Sequence, residues 1–176
     1  MPVLEVIKMG NPLLRNLSNN VSSKRIISEG FQNFIDDLIE TMRSADGAGI
    51  AAPQVGISDR VFVMEMRNNQ RYPDKENFPL RIVVNPEIKP LFTEQLDSWE
   101  GCLSIPGIRG RLKRYHKIQL KGLDRNGEKF ETELSGFAAI VAQHELEHLN
   151  GILFVDRMDS MHPLTFQDEY EKYWKV

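Results

Sequence analysis

The stretch Gln143-His144-Glu145-Leu146-Glu147-His148-Leu149-Asn150-Gly151 decides how this chain folds and what it can hold. An α-helix turns once every ~3.6 residues, so His144 and His148 project from one side and their imidazoles can grip a single metal ion. Glu145 lies between them, offset around the helix but within reach of water at that metal. H-E-x-x-H is the pattern of a hydrolytic metal site, with the glutamate as general base. The same letters also occur on plain surface helices; the residues upstream argue against that here. Phe137, Ile140, Val141, His144 and His148 fall at i, i+3, i+4, i+7 and i+11, one helical stripe. An apolar stripe faces a core, so both histidines face inward, where each ring nitrogen needs a partner. Ser135 predicts an N-cap and Asn150-Gly151 a C-terminal stop.

Two imidazoles do not complete a catalytic metal site, which uses three protein ligands and keeps a place for water. The extended pattern H-E-x-x-H-x-x-G-x-x-H is followed through Gly151, but Phe154 stands where its third histidine would be. Two kinds of third ligand remain open. One is Cys102, the only cysteine, in the turn-rich segment Trp99-Glu100-Gly101-Cys102-Leu103-Ser104-Ile105-Pro106-Gly107, expected to carry it on a loop. The other is a downstream acid, Asp168 or Glu169.

Composition bounds the rest. A chain of 176 residues suffices for one domain, 1–176, with a real core. Hydrophobic content of 41% and charged content of 27% fit a soluble globular protein. A formal net charge of -3 argues against a general nucleic-acid binder. A single cysteine cannot form an internal disulfide, which suits a reducing compartment. The N-terminus lacks a signal-peptide pattern and an Arg-rich transit pattern, and no apolar run reaches membrane-spanning length. These features predict a cytoplasmic protein that loses at most Met1.

Along the chain, residues 1–24 read as mostly irregular, with turns at Gly10-Asn11-Pro12 and Ser18-Asn19-Asn20. A helix follows from about Ile26 to Arg43, its apolar stripe made by Ile27, Phe31, Phe34, Ile35, Leu38 and Met42. Asp46-Gly47-Ala48-Gly49 is a small-residue turn without the lysine of a phosphate loop. Strands are expected over Val61–Met66, Arg81–Asn85 and Glu94–Trp99, with a polar surface loop over Arg67–Pro79. Lys113–Leu123 and Glu128–Leu134 form a hairpin across Asp124-Arg125-Asn126-Gly127. Arg109, Arg111, Lys113, Arg114, His116 and Lys117 are the most basic stretch, and most of it reads as a solvated strand edge. Ile152–Val155 is a further buried segment. His162–Val176 predicts a helix with Phe166, Tyr170, Tyr173 and Trp174 on one side, packed on its own domain. A helix, several strands and then the histidine helix make an α+β fold. It is a single domain of mostly antiparallel strands around a central metal-binding helix, with helices near both ends.

Three segments resemble the motifs of the peptide deformylases, in that family's order: Gly47-Ala48-Gly49-Ile50-Ala51-Ala52-Pro53-Gln54, Glu100-Gly101-Cys102-Leu103-Ser104 and Gln143-His144-Glu145-Leu146-Glu147-His148. Together they span Gly47 to Gly151. One departure is Glu147, where aspartate is commoner; it keeps the charge and is not a ligand position. The resemblance implies Cys102, His144 and His148 as ligands of one divalent ion. Fe²⁺ would be native, and Zn²⁺, Ni²⁺ or Co²⁺ could occupy the site in a purified sample. It implies that Gly49, Ile50, Glu100, Gly101 and Arg109 lie along the substrate, with Gln54 aimed at the reacting carbonyl oxygen. The expected reaction is removal of the formyl group from N-formylmethionine on nascent chains. Glu145 would move the proton, and the Gln54 amide and Leu103 backbone N–H would hold the oxyanion. Phe137, Ile140 and Val141, one and two turns before His144, can wall an apolar pocket for methionine. Some family members dock on the ribosome through a C-terminal helix, which implies a transient contact of that kind.

Two rivals differ in kind. A zincin-type endopeptidase would take Asp168 or Glu169 as third ligand and leave Cys102 idle. A non-catalytic metal or peptide-binding module would close its fourth coordination place to water.

Overall fold

The computed structural model describes residues 2–67 and 75–175. In chain order the elements are α1 (Ser23–Ile26), α2 (Glu29–Ser44), β1 (Gly49–Ala51), β2 (Val61–Met66), β3 (Phe78–Pro90), β4 (Gln95–Cys102), β5 (Ile105–Tyr115), β6 (Lys117–Leu123), β7 (Lys129–Ser135), α3 (Gly136–Leu149), β8 (Leu164–Phe166) and α4 (Gln167–Tyr173). They form a five-stranded sheet ordered β1-β2-β3-β6-β7 and a three-stranded sheet ordered β4-β5-β8. Neighbouring strands in both run antiparallel. The α+β architecture of mostly antiparallel strands around the histidine helix is as expected.

The apolar run of β2 explains the layering. All six of its residues are buried, so both faces of this strand are covered. Phe62, Met64 and Met66 face α3 together with Ala139, Val141, Ala142 and Leu149. Val61 and Val63 face α2, against Phe31, Ile35, Leu38 and Met42. A third cluster joins Cys102, Ile105 and Leu112 of the smaller sheet to Leu14, Leu153 and Phe154. Helix α3 is buried on more than its predicted stripe: Ala139, Ala142 and Leu149 are fully buried, while Phe137 and Ile140 of the stripe are only half-buried.

Local chemistry places the helix ends. Ser28 caps α2 by accepting the Phe31 N–H, so the helix starts three residues later than expected. Ile27 falls outside it and is 70% exposed rather than part of the stripe. Ser135 is the N-cap of α3, but its hydroxyl makes no capping bond. The first free N–H, that of Gly136, is instead satisfied by the His116 carbonyl at 3.1 Å. The predicted stop holds: Gly151 N–H bonds to the His148 carbonyl and Ile152 N–H to that of Glu147. This is the Schellman arrangement, with Gly151 at φ 71°.

Three strand expectations change. Lys113–Leu123 is not one strand: β5 ends at Tyr115 in the smaller sheet and β6 starts at Lys117 in the larger, with His116 between them. The hairpin turn at 124–127 stands, closed by Asp124 accepting the N–H groups of Asn126 and Glu128. Cys102 is the last residue of β4 rather than a loop residue. Pairing slips between Glu100 and Cys102, and a tight turn at Leu103-Ser104 leads straight into β5. Of the loop expected over Arg67–Pro79, positions 68–74 lie outside the described residues, and Phe78 and Pro79 already belong to β3.

A Cβ at Gly151 would stand 2.4 Å from the Arg15 carbonyl oxygen, on a backbone with positive φ. Gly151→Ala is expected to lower unfolding free energy by about 2–3 kcal/mol. At Gly30, in the first turn of α2, an added Cβ meets nothing within 4 Å. There Gly30→Ala should raise stability by about 0.5 kcal/mol through a less flexible unfolded chain. Urea denaturation of both variants reads the opposite signs.

Candidate metal centre

Two elements bring the donor atoms together. Helix α3 presents His144 and His148 one turn apart, and the end of β4 presents Cys102. Cys102 Sγ lies 3.2 Å from His148 Nε2, which lies 3.2 Å from His144 Nε2. All three ligand atoms fall within 4.8 Å of one another, and all three residues are buried. This is the only such cluster of His, Cys, Asp or Glu among the described residues. Asp168 and Glu169 sit exposed on α4 and are not part of it.

The surroundings fix how these atoms point. Glu100 Oε2 lies 2.9 Å from His144 Nδ1, so the ring donates a hydrogen bond from Nδ1–H to the carboxylate and turns Nε2 inward toward the sulfur and His148. Two N–H donors face the sulfur: the Ser104 backbone at 3.4 Å and Gln54 Nε2 at 3.6 Å. Gln54 Oε1 accepts the Ala51 N–H at 2.8 Å, which orients the amide with its NH₂ toward the site. Lone pairs of two imidazoles and a sulfur thus converge on one point, which shared protons or a cation must occupy. The donor set suits a borderline-soft divalent ion.

The titration behaviour has the same physical origin. Burial alone would push the Glu100 carboxyl up, but the charge and hydrogen bonds of Arg114, aided by His144, hold it at about 2. Burial disfavours a charged His144 ring, yet the Cys102 sulfur and Glu100 carboxylate raise its proton affinity well above the usual histidine range. His148 is shifted the other way, by burial and then by the fields of His144, Arg114 and Arg15. Burial raises the Glu145 carboxyl to about 7; His144 opposes the shift and Glu100 adds to it.

Glu145 lies against the small-residue turn. A Cβ at Gly49 would stand 2.6 Å from Glu145 Oε1, so only glycine lets the carboxylate and β1 approach this closely. The adjoining pocket encloses about 480 Å³, its open mouth included. Gly49, Gln54, Glu100, Gly101, Cys102, Leu103, Phe137, Ile140, Val141, His144 and Glu145 line it. Two expected substrate residues stand elsewhere. Ile50 is fully buried, packs its side chain with the α2 core and does not line this pocket. Arg109 is buried beside Gly101 and lines the wider groove outside this pocket.

Two participants escaped the sequence analysis. Arg114, expected to be solvated, is 4% exposed. It donates to both Glu100 oxygens at 2.7 and 3.0 Å and pairs with Glu147 at 2.7 Å; Glu147 in turn meets Arg157 at 2.8 Å. Gln143 clamps α3 to the end of β5, accepting the Tyr115 N–H and donating to the Tyr115 carbonyl. Strand alternation carried a signal for Arg114, which shares the inward face of β5 with Leu112.

A sulfur and two imidazoles gathered beside a pocket that also holds a buried carboxylate are a donor set of the kind a metal-dependent hydrolase uses. The chain matches the polypeptide deformylase family over residues 3–163. It is 41% identical over 177 residues to a peptide deformylase of Leptospira biflexa, covering 100% of this chain and 99% of that one. A class I type b peptide deformylase of Acinetobacter baumannii, crystallised with Met-Ala-Ser, superposes with a TM-score of 0.86 at 42% identity, over 89% of this chain and 99% of the other. A Thermotoga maritima peptide deformylase gives 0.80 at 39% identity, over 91% and 100%. This chain belongs to the polypeptide deformylase family.

Arg114→Ala would leave Glu100 and Glu147 without their shared partner. Breaking a buried ion pair from one side typically costs about 3–5 kcal/mol, so a loss of that size is expected in chemical denaturation. Arg114→Lys should recover little of it, because an ammonium cannot make the two-pronged contact.

Proposed function

We propose that Cys102 Sγ, His144 Nε2 and His148 Nε2 hold one divalent metal ion, and that Glu145 is the proton carrier of formyl-group hydrolysis. The enzyme is a peptide deformylase, which removes the formyl group from the N-terminal formylmethionine of nascent polypeptides and releases formate. The observation that carries this reading is the convergence of the Cys102 sulfur on the two imidazoles beside the Glu145 carboxylate.

When bound, the ion supplies a Lewis acid that polarises the formyl carbonyl and makes water acidic near neutral pH. The protein residues do the rest. Glu145 Oε2 is buried with no hydrogen-bond partner among the described residues. It takes the proton of the attacking water and passes it to the leaving amine nitrogen. Burial raises the proton affinity of this carboxyl above the usual carboxylate range, which suits a group that must both accept and return a proton. Gln54 Nε2, held by the Ala51 contact, donates to the developing oxyanion together with the Leu103 backbone N–H. The methionine side chain enters the pocket against Phe137, Ile140 and Val141. Glu100 and Gly101 flank it, with Gly49 and the Ile50 main chain along the other side. The Met-Ala-Ser complex of the Acinetobacter relative supports a peptide substrate.

Fe²⁺ is the proposed native ion; Zn²⁺, Ni²⁺ and Co²⁺ suit the same donors, and the sulfur ligand makes the ferrous form sensitive to oxidation. Residues 1–176 act as one catalytic domain, in the cytoplasm where nascent chains carry their formyl group. No helix among the described residues is long and apolar enough to cross a membrane. A transient ribosome contact through the C-terminal segment is supported by Phe166 and Tyr173, 67% and 61% exposed. Loss of ribosome co-sedimentation in the double variant Phe166→Ala/Tyr173→Ala tests it; unchanged sedimentation removes it.

Glu145→Ala is expected to keep one metal per chain while formate release from a formyl-methionyl peptide falls about 10²–10⁴-fold. Elemental analysis of anaerobically purified protein, beside the formate assay, reads both. Wild-type turnover in that variant refutes the assigned role.

A further inference from the structure

The C-terminal helix is built onto the mouth of the metal pocket. Strand β8 pairs with β5 at Ile108–Phe166, Arg109–Thr165 and Gly110–Leu164, so α4 emerges beside Arg109. Gln167 Oε1 accepts the Arg109 Nε–H at 2.6 Å, and Gln167 Nε2 donates to Glu171 at 2.6 Å, which sets the direction of the amide. The Arg109 guanidinium stands 5.7 Å from the Tyr170 ring centroid. On its other side it presses on Gly101, where a Cβ would come within 2.9 Å of Nη1. Tyr170 and Trp174, one helical turn apart, pack on Trp99 with ring centroids 5.1 and 5.5 Å away. Trp99 and Gly101 flank Glu100 and also line the metal pocket.

Beyond Trp99 a wide groove opens, lined by Phe137, Gln167, Tyr170 and Trp174 together with the charged Lys75, Glu76 and Asp97. It shares Trp99, Phe137 and Ile140 with the metal pocket, so the two form one continuous depression. A formylated polypeptide whose first side chain fills the pocket must send its remaining residues outward, and this groove is the adjoining path. It offers the ring faces of Trp99, Phe137, Tyr170 and Trp174, with Arg109 and Gln167 locked to one another behind them.

We propose that α4 is the outer wall of the peptide groove. Gln167 and Tyr170 are positioning residues that hold Arg109 against Gly101, and the Trp99–Tyr170–Trp174 cluster supports the residues that follow methionine. This rests on the deformylase reading of the pocket and adds that the C-terminal segment serves substrate binding.

Steady-state formate release by the full, metal-loaded chain tests it, with N-formylmethionine and formyl-Met-Ala-Ser as the two substrates. Gln167→Ala and Tyr170→Ala should each raise KM for the tripeptide about fivefold relative to KM for N-formylmethionine, the scale of one weak polar or ring contact. Tyr170→Phe keeps the ring over Arg109 and against Trp99, and should hold the wild-type ratio. A merely structural helix predicts losses of the same size on both substrates; that result, or an unchanged KM ratio in both alanine variants, overturns the proposal alone. Wild-type protein that releases no formate from either compound overturns the deformylase reading, and this inference with it.

Discussion

The buried carboxylate of Glu100 ties three elements to one another. It sits on β4, accepts two hydrogen bonds from Arg114 on β5, and faces the Nδ1 nitrogen of His144 on α3. A carboxylate this deep in protein cannot stand alone, because the energy of removing it from water far exceeds what packing returns. Its partners therefore have to be where they are. Arg114 extends the pattern to Glu147, back on α3, and through it to Arg157 at the surface. Alternating charges thus set the rotation of α3 against the smaller sheet. That rotation aims His144 Nε2 toward the sulfur.

The rest of the proposed site stands on regular structure rather than on long loops. Cys102 ends a strand, both histidines lie inside a helix, and Gln54 follows an edge strand within a short helical turn whose backbone holds its amide oxygen. Side chains on packed elements lose little freedom when a substrate arrives, which suits a reaction that depends on placing a water, a proton acceptor and an oxyanion donor within bonding distance. Close contact has a sequence cost: Gly49 has no side chain because Glu145 occupies the space it would need.

Much of this was legible from local pattern. The i, i+4 spacing of His144 and His148, the Asn150-Gly151 stop and the hairpin turn at 124–127 each depend on a few adjacent residues, and each appears as expected. Expectations that reach across the chain fared less evenly. Ile27 looked like part of an apolar stripe, but the Ser28 cap starts α2 after it. Arg114 looked like one charge in a basic run, although its alternation with Leu112 points it inward. Lys113–Leu123 reads as one β-rich segment because nothing local marks His116 as the place where the chain passes from one sheet to the other. In the C-terminal segment the spacing predicts all four aromatics on one side of a helix, yet Phe166 lies in β8, Tyr170 and Trp174 pack at a tilt on Trp99, and Phe166, Tyr173 and part of Trp174 stay exposed.

The amino-acid sequence alone determined the histidine helix, its ends, the α+β order of elements and, through three ordered motifs, the family. These depend on backbone periodicity and short-range hydrogen bonding, which neighbouring residues specify. Only the tertiary structure decided which third donor meets the two imidazoles and which arginine lies in the interior. It alone set Arg109 between Gly101 and the C-terminal helix. Such pairings join residues many positions apart, and they follow from how two sheets close around one helix, which no local spacing encodes.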